Sequence, residues 1–595
     1  MKIQFSKRIL ISWLIGLVVL VFSSIMGMSD MYSQAMEIET NKDGDGEYYL
    51  YLPLINKPFA VNTTLDGADA NPGDGYCETA LGNQLCTLRA IIQETNALPG
   101  ANAVFLPAGT YNLTIPGGSE DFGATGDLDI TDELTIVGTG SSSVIINGNR
   151  LDRVFHTLGV PANISGITIM NGEAQGFDGG GGIYNGYRDG GYVAPLTLDS
   201  VVIEENLSPQ QYPCSDCSGG GILSVGSLTV LDSLVMNNEA SYKNGGGIAS
   251  RVTTIQNSTI TNNVAGQSGG GISADSLTLI NSVVENNAIN QGSGNKGGGI
   301  SMGSSSLIEN SIIGNNTLSE GKGAGIAIES NSTNTTTTIR NSIVYNNATT
   351  SNQGASTAKG GGIYNYNGIL VILNSQIMGN YAAFQGGGVY NDSTAFGGEV
   401  RIRQSTINAN VAEDRGGGIY NGLTMSLENV TVSGNRADGS LTQLGGGIYS
   451  RSSTTIINST IYGNQADDGG GIAQEAGAVS IKNSILAGNE ALYEPAINTT
   501  DNCYGFVVSA GYNLEDGIYC NFTAVGDRLQ TNPKLGPLQL NGGATSTHAL
   551  LASSPAIDAG TNVGCPAIDQ RGIVRPKDGN GDSVAICDIG AFEYP

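Results

Sequence analysis

The sequence predicts an all-β parallel solenoid, and three observations carry that prediction. A two-part phrase, GGGI followed ten to fifteen residues later by NSxIxxN, recurs from Gly180 to Asn489. With the first Asn of NSxIxxN as position 0, the residues two before it are all aliphatic: Val230, Ile255, Leu279, Ile308, Ile339, Ile372, Ile402, Leu427, Ile456 and Ile481. So are those three after it (Val235 to Leu486) and those after each glycine triplet (Ile222 to Ile472). Short β-branched segments of this kind cannot bury a face alone and close a core only by stacking on the repeats above and below.

The repeat is mostly 24 to 30 residues long, which fits three strands and three turns per coil. Helical repeats fit badly, because apolar residues do not recur at 3.6-residue spacing and the chain holds 88 glycines. The triplets suit turns that need positive φ and coils that stack closely. Position +6 is Asn in all ten rungs: Asn238, Asn263, Asn287, Asn316, Asn347, Asn380, Asn410, Asn435, Asn464 and Asn489. Stacked at ~4.8 Å, their amides can bond from coil to coil as an asparagine ladder, a structural role.

The chain opens with Lys2, Lys7 and Arg8 before an apolar run from Ile9 to Phe22. This is the pattern of a secretory signal, with residues 1–35 as the signal peptide, Ser33-Gln34-Ala35 or Ser24 to Gly27 as its cleavage site, and an uncleaved anchor as the alternative. No second membrane segment is expected after its removal. Residues 36–60 read as an acidic linker. Asn41 to Glu47 imitates the start of a calcium loop, but Leu52 stands where the loop needs Glu. Export makes disulfides the expected state of the eight cysteines, which fall into local pairs: Cys77 with Cys86, Cys214 with Cys217, Cys503 with Cys520 and Cys565 with Cys587. A net charge of −27 argues against nucleic acid and anionic membranes as partners and suits calcium or neutral glycans. The same charge keeps an extended surface soluble and monomeric.

Within residues 61–110, Leu88, Ile91, Ile92 and Thr95 follow helical spacing behind Thr87 as N-cap, predicting one short amphipathic helix. The phrase CTLRAIIQETNA here resembles the CSLREA domain of secreted bacterial β-helical proteins, with Ala90 where that domain has Glu. The helix is expected to cap the open end of a solenoid spanning 104–490. Its first coils, Val104 to Met170, are irregular and carry Arg150, Arg153 and His156 in GNRLDRVFH. No carboxylate stands at a telling spacing from His156, which reads as a satisfied rung histidine. The repeats that follow are similar to those of polymorphic outer-membrane proteins and of right-handed parallel β-helices of the pectin-lyase type, a resemblance that implies a right-handed coil. Tyr184, Tyr364, Tyr390, Tyr420 and Tyr449 each follow an inward aliphatic residue and are expected to face outward, where they could stack on sugar rings or on one another. Beyond Asn489 the repeat is expected to stop. Residues 497–595, with SSPAIDAG, DQRGIVRPKDGNGD and DIGAFE, resemble the choice-of-anchor Q domain of bacterial surface proteins. There Asp578, Asn580 and Asp582 alternate as in half of a calcium site, the one cofactor expectation, with a polar turn as the plainer reading.

Such folds host both enzymes and inert adhesins. The best carboxylate patch is Glu413 and Asp414 with Arg415 before one glycine turn and Asp467 with Asp468 before another, two coils away, with Arg436 and Asp438 between. At ~4.8 Å per coil they lie ~10 Å apart, near the separation of an inverting glycosidase pair. Turn positions favour Asp for local hydrogen bonding alone, so the patch reads as a solvated turn face. The sequence therefore predicts an exported, non-catalytic, adhesin-like scaffold contacting an extracellular glycan or surface protein. The rival is a polysaccharide lyase or glycoside hydrolase working on the solenoid flank.

Overall fold

A computed structural model describes residues 59–595 except 119, 176–177, 188–192, 210–216, 291–293, 331, 352–355, 393–396, 440–442 and 493–501, together with the backbone of 40–42 and 48–50. The signal peptide with its cleavage site, most of the linker, and Cys214 lie outside the described residues. Met1–Pro58 is a unit by itself, in which Thr40–Lys42 pairs antiparallel with Tyr48–Leu50.

Residues from Phe59 onward form an all-β, right-handed parallel solenoid of about 13 turns. Each regular coil contributes four strand segments, one more than the repeat suggests. The first follows the glycine triplet, as at Ile419–Asn421, and the second precedes the NS pair, as at Thr424–Glu428. The third holds the +3 aliphatic, as at Thr431–Ser433, and the fourth is a two-residue strand after the ladder Asn, as at Arg436–Ala437. The inward residues of the first three columns, from Val104 to Val507, belong to one continuous core and are almost completely buried. At about 25 cal/mol per Å² of apolar surface removed from water, this core is the chief stabilising term, and each coil depends on its neighbours for it.

The NSxIxxN phrase has a physical reason at each letter. Its leading Asn takes a left-handed turn, with φ between 49° and 52° at Asn257, Asn281, Asn310, Asn341 and Asn374, a conformation Asn tolerates better than most residues. Its Ser accepts a backbone N–H from the coil before, as Ser258 N–H donates to Ser282 Oγ at 3.1 Å and Ser282 N–H to Ser311 Oγ at 3.1 Å. This serine line went unread in the sequence although it stands in the same phrase. The ladder amides bond both ways: Asn316 Nδ2 donates to Asn347 Oδ1 at 2.9 Å and Asn347 Nδ2 to Asn380 Oδ1 at 3.0 Å. The line starts one coil earlier than the ten rungs, at Asn206, and ends on Asn502. In the triplet Gly245–Gly247 the first glycine has φ +67°, and a Cβ on the second would sit 2.4 Å from the carbonyl oxygen of Gly270 on the next coil.

The predicted helix, α1 (Leu88–Ala97), is capped by Thr87, whose hydroxyl accepts the Ala90 N–H. It lays Leu88, Ile91 and Ile92 on the core at the N-terminal end. Arg89 is buried, pairs with Asp66 at 2.8 Å, and donates to the carbonyls of Gly123, Gly126 and Asp127, pinning the loop that leads into the strand Leu128–Ile130.

The sheets continue past Asn489. Cys503–Tyr504, Val507–Ser509 and Leu514–Glu515 add to columns one, two and three. The phrase is gone there, but the coil below offers a free edge, and Asn513 takes the serine's place by accepting the Ser484 N–H at 3.0 Å. The chain then turns back along column three, where Thr406 donates to the Ser546 carbonyl, Thr431 to Gln570 and Asn458 to the Asp588 carbonyl. Disulfides join Cys77 to Cys86, Cys503 to Cys520 and Cys565 to Cys587, and Cys217 is disulfide-bonded too. No described helix is long and apolar enough to cross a membrane.

Candidate functional site

Chemistry gathers along one register line, the outward residue after the first inward residue of column one. Strand pairing runs this line through Asp129, His156, Tyr184 and Leu223, and farther up through Ala327, Tyr364, Tyr390, Tyr420 and Tyr449.

At its N-terminal end a carboxylate faces the histidine. His156 Nδ1 lies 3.2 Å from Asp129 Oδ1 and 3.8 Å from Asp121 Oδ1, and its Nε2 is 3.2 Å from the Gly186 carbonyl. Tyr184 stacks on the imidazole with centroids 4.8 Å apart. This overturns the reading of His156 as lacking a carboxylate partner: Asp129 is 27 residues away in sequence, but the coil sets the two side by side. Arg153 lies 3.4 Å from Asp127, 3.9 Å from Asp152, and over the Tyr184 ring, whereas Arg150 sits apart beside Glu173. Burial raises the carboxyls of Asp127, Asp129 and Asp152, taking Asp129 to about 7. Burial, with Arg153 adding, lowers His156 to about 4. Thus the carboxyl and the imidazole exchange their usual order of acidity.

Farther up the line the tyrosines are not open to solvent as expected. Tyr364, Tyr390, Tyr420 and Tyr449 point away from the main core but form a second buried cluster with Leu444 and Ala473, none more than 3% exposed among the four rings. Their centroids follow at 5.3, 4.5 and 5.1 Å. Coil spacing forces this stack, and the side chains that cover it are cationic. Lys322 lies over Tyr364, Lys359 over Tyr390 and Arg415 over Tyr449. Lys359 donates to the Tyr390 hydroxyl at 3.0 Å, Arg415 to that of Tyr449 at 3.0 Å and Arg451 to that of Tyr420 at 3.3 Å. Lys322, Lys359 and Arg415 share a second register line just before the glycine turns, which runs through Lys296, Lys322, Lys359, Gln385, Arg415, Leu444 and Asp468. Glu329 takes up Lys296 and Lys322, and Glu475 lies 3.7 Å from Arg415 and 3.5 Å from Arg451. Sequence reasoning missed the line because its members are 24 to 37 residues apart; the signal was the residue preceding each glycine turn.

The acidic patch is dispersed into local bonds. Glu413 accepts from the Tyr381 hydroxyl, buried Asp414 accepts from Gln385 at 2.7 Å, and Asp438 pairs with Arg436 at 2.9 Å. Asp467 accepts the Gln443 N–H, and Asp468, raised by burial and by Asp467, lies on the register line of Arg415 two coils on. In the C-terminal loop the oxygens of Asp578 accept the N–H groups of Gly581, Asp582 and Ser583, while Asn580 accepts from Asp582 and Asp582 from Val584. These are turn bonds. His548 is held on both nitrogens, by Ser433 and the Gly536 carbonyl.

No family model and no curated protein matches the chain, so the resemblances of residues 61–110 and 497–595 stand on their motif residues alone. Among solved structures the chain is similar to the A-module of the Azotobacter vinelandii mannuronan C-5 epimerase AlgE6, at 14% identity and TM-score 0.31 over 60% of this chain and 90% of that one. It is also similar to a mannuronic acid specific polysaccharide family 6 lyase from human gut microbiota, at 12% identity and TM-score 0.28 over 61% and 82%. For the pectate lyase Pel9A the figures are 12% and 0.24 over 89% and 96%. At these values the likeness says nothing of what this chain does, and its own strand pairing makes it an all-β parallel solenoid.

Proposed function

We propose that the protein is an exported, non-catalytic solenoid that holds an acidic glycan along the flank built by Lys296, Lys322, Lys359 and Arg415. The observation that carries this reading is the register line itself. In a chain of net charge −27 with only 26 Lys and Arg, four cations occur within five successive coils on one face. The side chains of Lys296, Lys322 and Arg415 are about one-third exposed, so their tips reach solvent. Coils repeat at ~4.8 Å, comparable with the length of one pyranose residue, so successive uronate carboxylates meet successive cations. Glu329 and Glu475 already occupy these cations as a glycan carboxylate would. With the tyrosine rings covered, the flank offers charge rather than a stacking face. Three disulfides among the described residues fit an oxidising, extracellular setting.

One observation favours the rival reading, a polysaccharide lyase. Burial lowers the Lys359 ammonium, whose Nζ donates to the Tyr390 hydroxyl while that hydroxyl donates to Asp392, and this places a candidate general base on the flank. A single screen separates the two. The mature protein is incubated with polyuronates and neutral glucans, and binding and unsaturated product are both read. Binding to polyuronate that falls at least about tenfold in a Lys322→Gln, Arg415→Gln double variant and weakens with salt supports the scaffold. Unsaturated product that disappears in Lys359→Gln replaces it with the lyase. Reducing-end product lost on Asp414→Ala or Asp468→Ala favours a hydrolase, and equal binding of neutral and acidic glycans sinks the charge argument.

A further inference from the structure

We propose that Asp121, Asp129 and His156 form a binding site for one divalent transition-metal ion of the zinc or manganese type, at the N-terminal end of the solenoid. The inference is independent of the glycan reading, because these residues lie outside the cationic line.

The argument begins with the histidine's protons. The Gly186 carbonyl can only accept, so the 3.2 Å contact puts hydrogen on Nε2 and leaves a lone pair at Nδ1. That lone pair faces two carboxylates, Asp129 at 3.2 Å and Asp121 at 3.8 Å. Three acceptors converge with no donor among them. Asp129 is 0% exposed, and its Oδ2 accepts the Gly123 N–H at 2.6 Å, while its Oδ1, the atom turned to His156, has no hydrogen-bond partner. A buried acceptor left this way costs about 1–3 kcal/mol unless something positive fills the gap.

Three further features select a metal ion. A tetrahedral ion with bonds of about 2.1 Å holds its ligands about 3.4 Å apart, close to the two measured histidine–carboxylate edges, and all three ligand atoms lie within 4.8 Å of one another. Metal-bound histidines commonly donate their second nitrogen to a backbone carbonyl, as His156 does to Gly186, and bound carboxylates are oriented by a second bond, as Asp129 is by Gly123. The surroundings are rich in acid: Asp127, Asp152, Glu120 and Asp178 act on this group, against the cation Arg153. One imidazole with two carboxylates suits zinc or manganese better than calcium, which prefers an all-oxygen shell. Asp121 is half-exposed, so an ion has a path in and a remaining position for water or a ligand hydroxyl.

The test uses the mature chain stripped with chelator and titrated calorimetrically with zinc, manganese and calcium chlorides. The proposal expects one zinc or manganese ion per chain and an affinity lowered about tenfold or more in Asp121→Asn. It also expects loss in His156→Gln, no change in Asp578→Asn, and a visible cobalt spectrum that disappears with the histidine. Asp121 is on an exposed loop, so its variant carries the test even where His156→Gln disturbs folding. No saturable binding would mean that a proton bridges Asp129 and His156, overturning the site. Binding undiminished in Asp121→Asn, or stronger for calcium than for zinc and manganese, overturns it equally.

Discussion

The two ends of one register line make opposite use of the same scaffold position. Asp129, His156 and Tyr184 occupy it on three successive coils, and Tyr364, Tyr390, Tyr420 and Tyr449 occupy it on four others. The backbone is the same in both, and coils stack at ~4.8 Å in both. In the first region Asp129 and His156 face each other as acceptors with too few donors, whereas in the second the hydroxyls of Tyr390, Tyr449 and Tyr420 are taken by Lys359, Arg415 and Arg451. The difference teaches that a solenoid supplies spacing and leaves chemistry to the residue type at each rung. An unmet charge at such a rung is local information, while a stacked ring is part of the architecture.

The largest effect should come from breaking the stack. Tyr420→Ala opens a cavity between Tyr390 and Tyr449 and is expected to cost about 3–4 kcal/mol in urea denaturation. If it costs under about 1 kcal/mol, the stack is not structural. Next, Asn347→Ala removes the amide that accepts from Asn316 N–H and Nδ2 and donates to Ile313 O and Asn380 Oδ1. Stranding those buried groups should cost about 2–3 kcal/mol. Because the break lies in the shared frame, it should leave metal titration at the N-terminal end unchanged.

The acid–histidine pair yields a subtler expectation with chelator present. Asp129 is raised on folding to about 7 and so favours the fold at low pH, its contribution being lost as pH rises toward 7. His156 is lowered to about 4 and so favours the fold above its ordinary value of 6.5, its contribution being lost as pH falls toward 4. The two oppose each other. Between about pH 4 and 6.5 the folded pair holds its one proton on Asp129 and the unfolded pair holds it on the histidine, giving a nearly flat profile. His156→Gln should therefore tilt stability downward with rising pH and Asp129→Asn upward, each on the order of 1 kcal/mol per pH unit. Equal slopes in both variants would show that Asp127 or Asp152, not this pair, dominates. The smallest effect is expected at Asp578→Asn, in an exposed turn with no neighbouring coil, at about 0.5 kcal/mol or less by thermal melting.

The sequence by itself determined the periodic part of this protein. Aliphatic columns, glycine triplets and the ladder Asn recur because every coil meets the same neighbours, so a constraint from packing is written once per repeat and can be read off the chain. The helix Leu88–Ala97 was legible for a similar reason, since its cap and apolar face are local. Only the tertiary structure decided the rest. Asp129 meets His156, Lys322 meets Tyr364, and Asn458 meets Asp588 across separations that carry no pattern of their own. Whether an outward tyrosine is wet or buried depends on which side chains cover it, here Lys322, Lys359 and Arg415 from the turns before the glycines. Periodicity fixes which face a residue takes, whereas burial and charge pairing depend on what the other coils bring to that face, and only the folded chain brings them together.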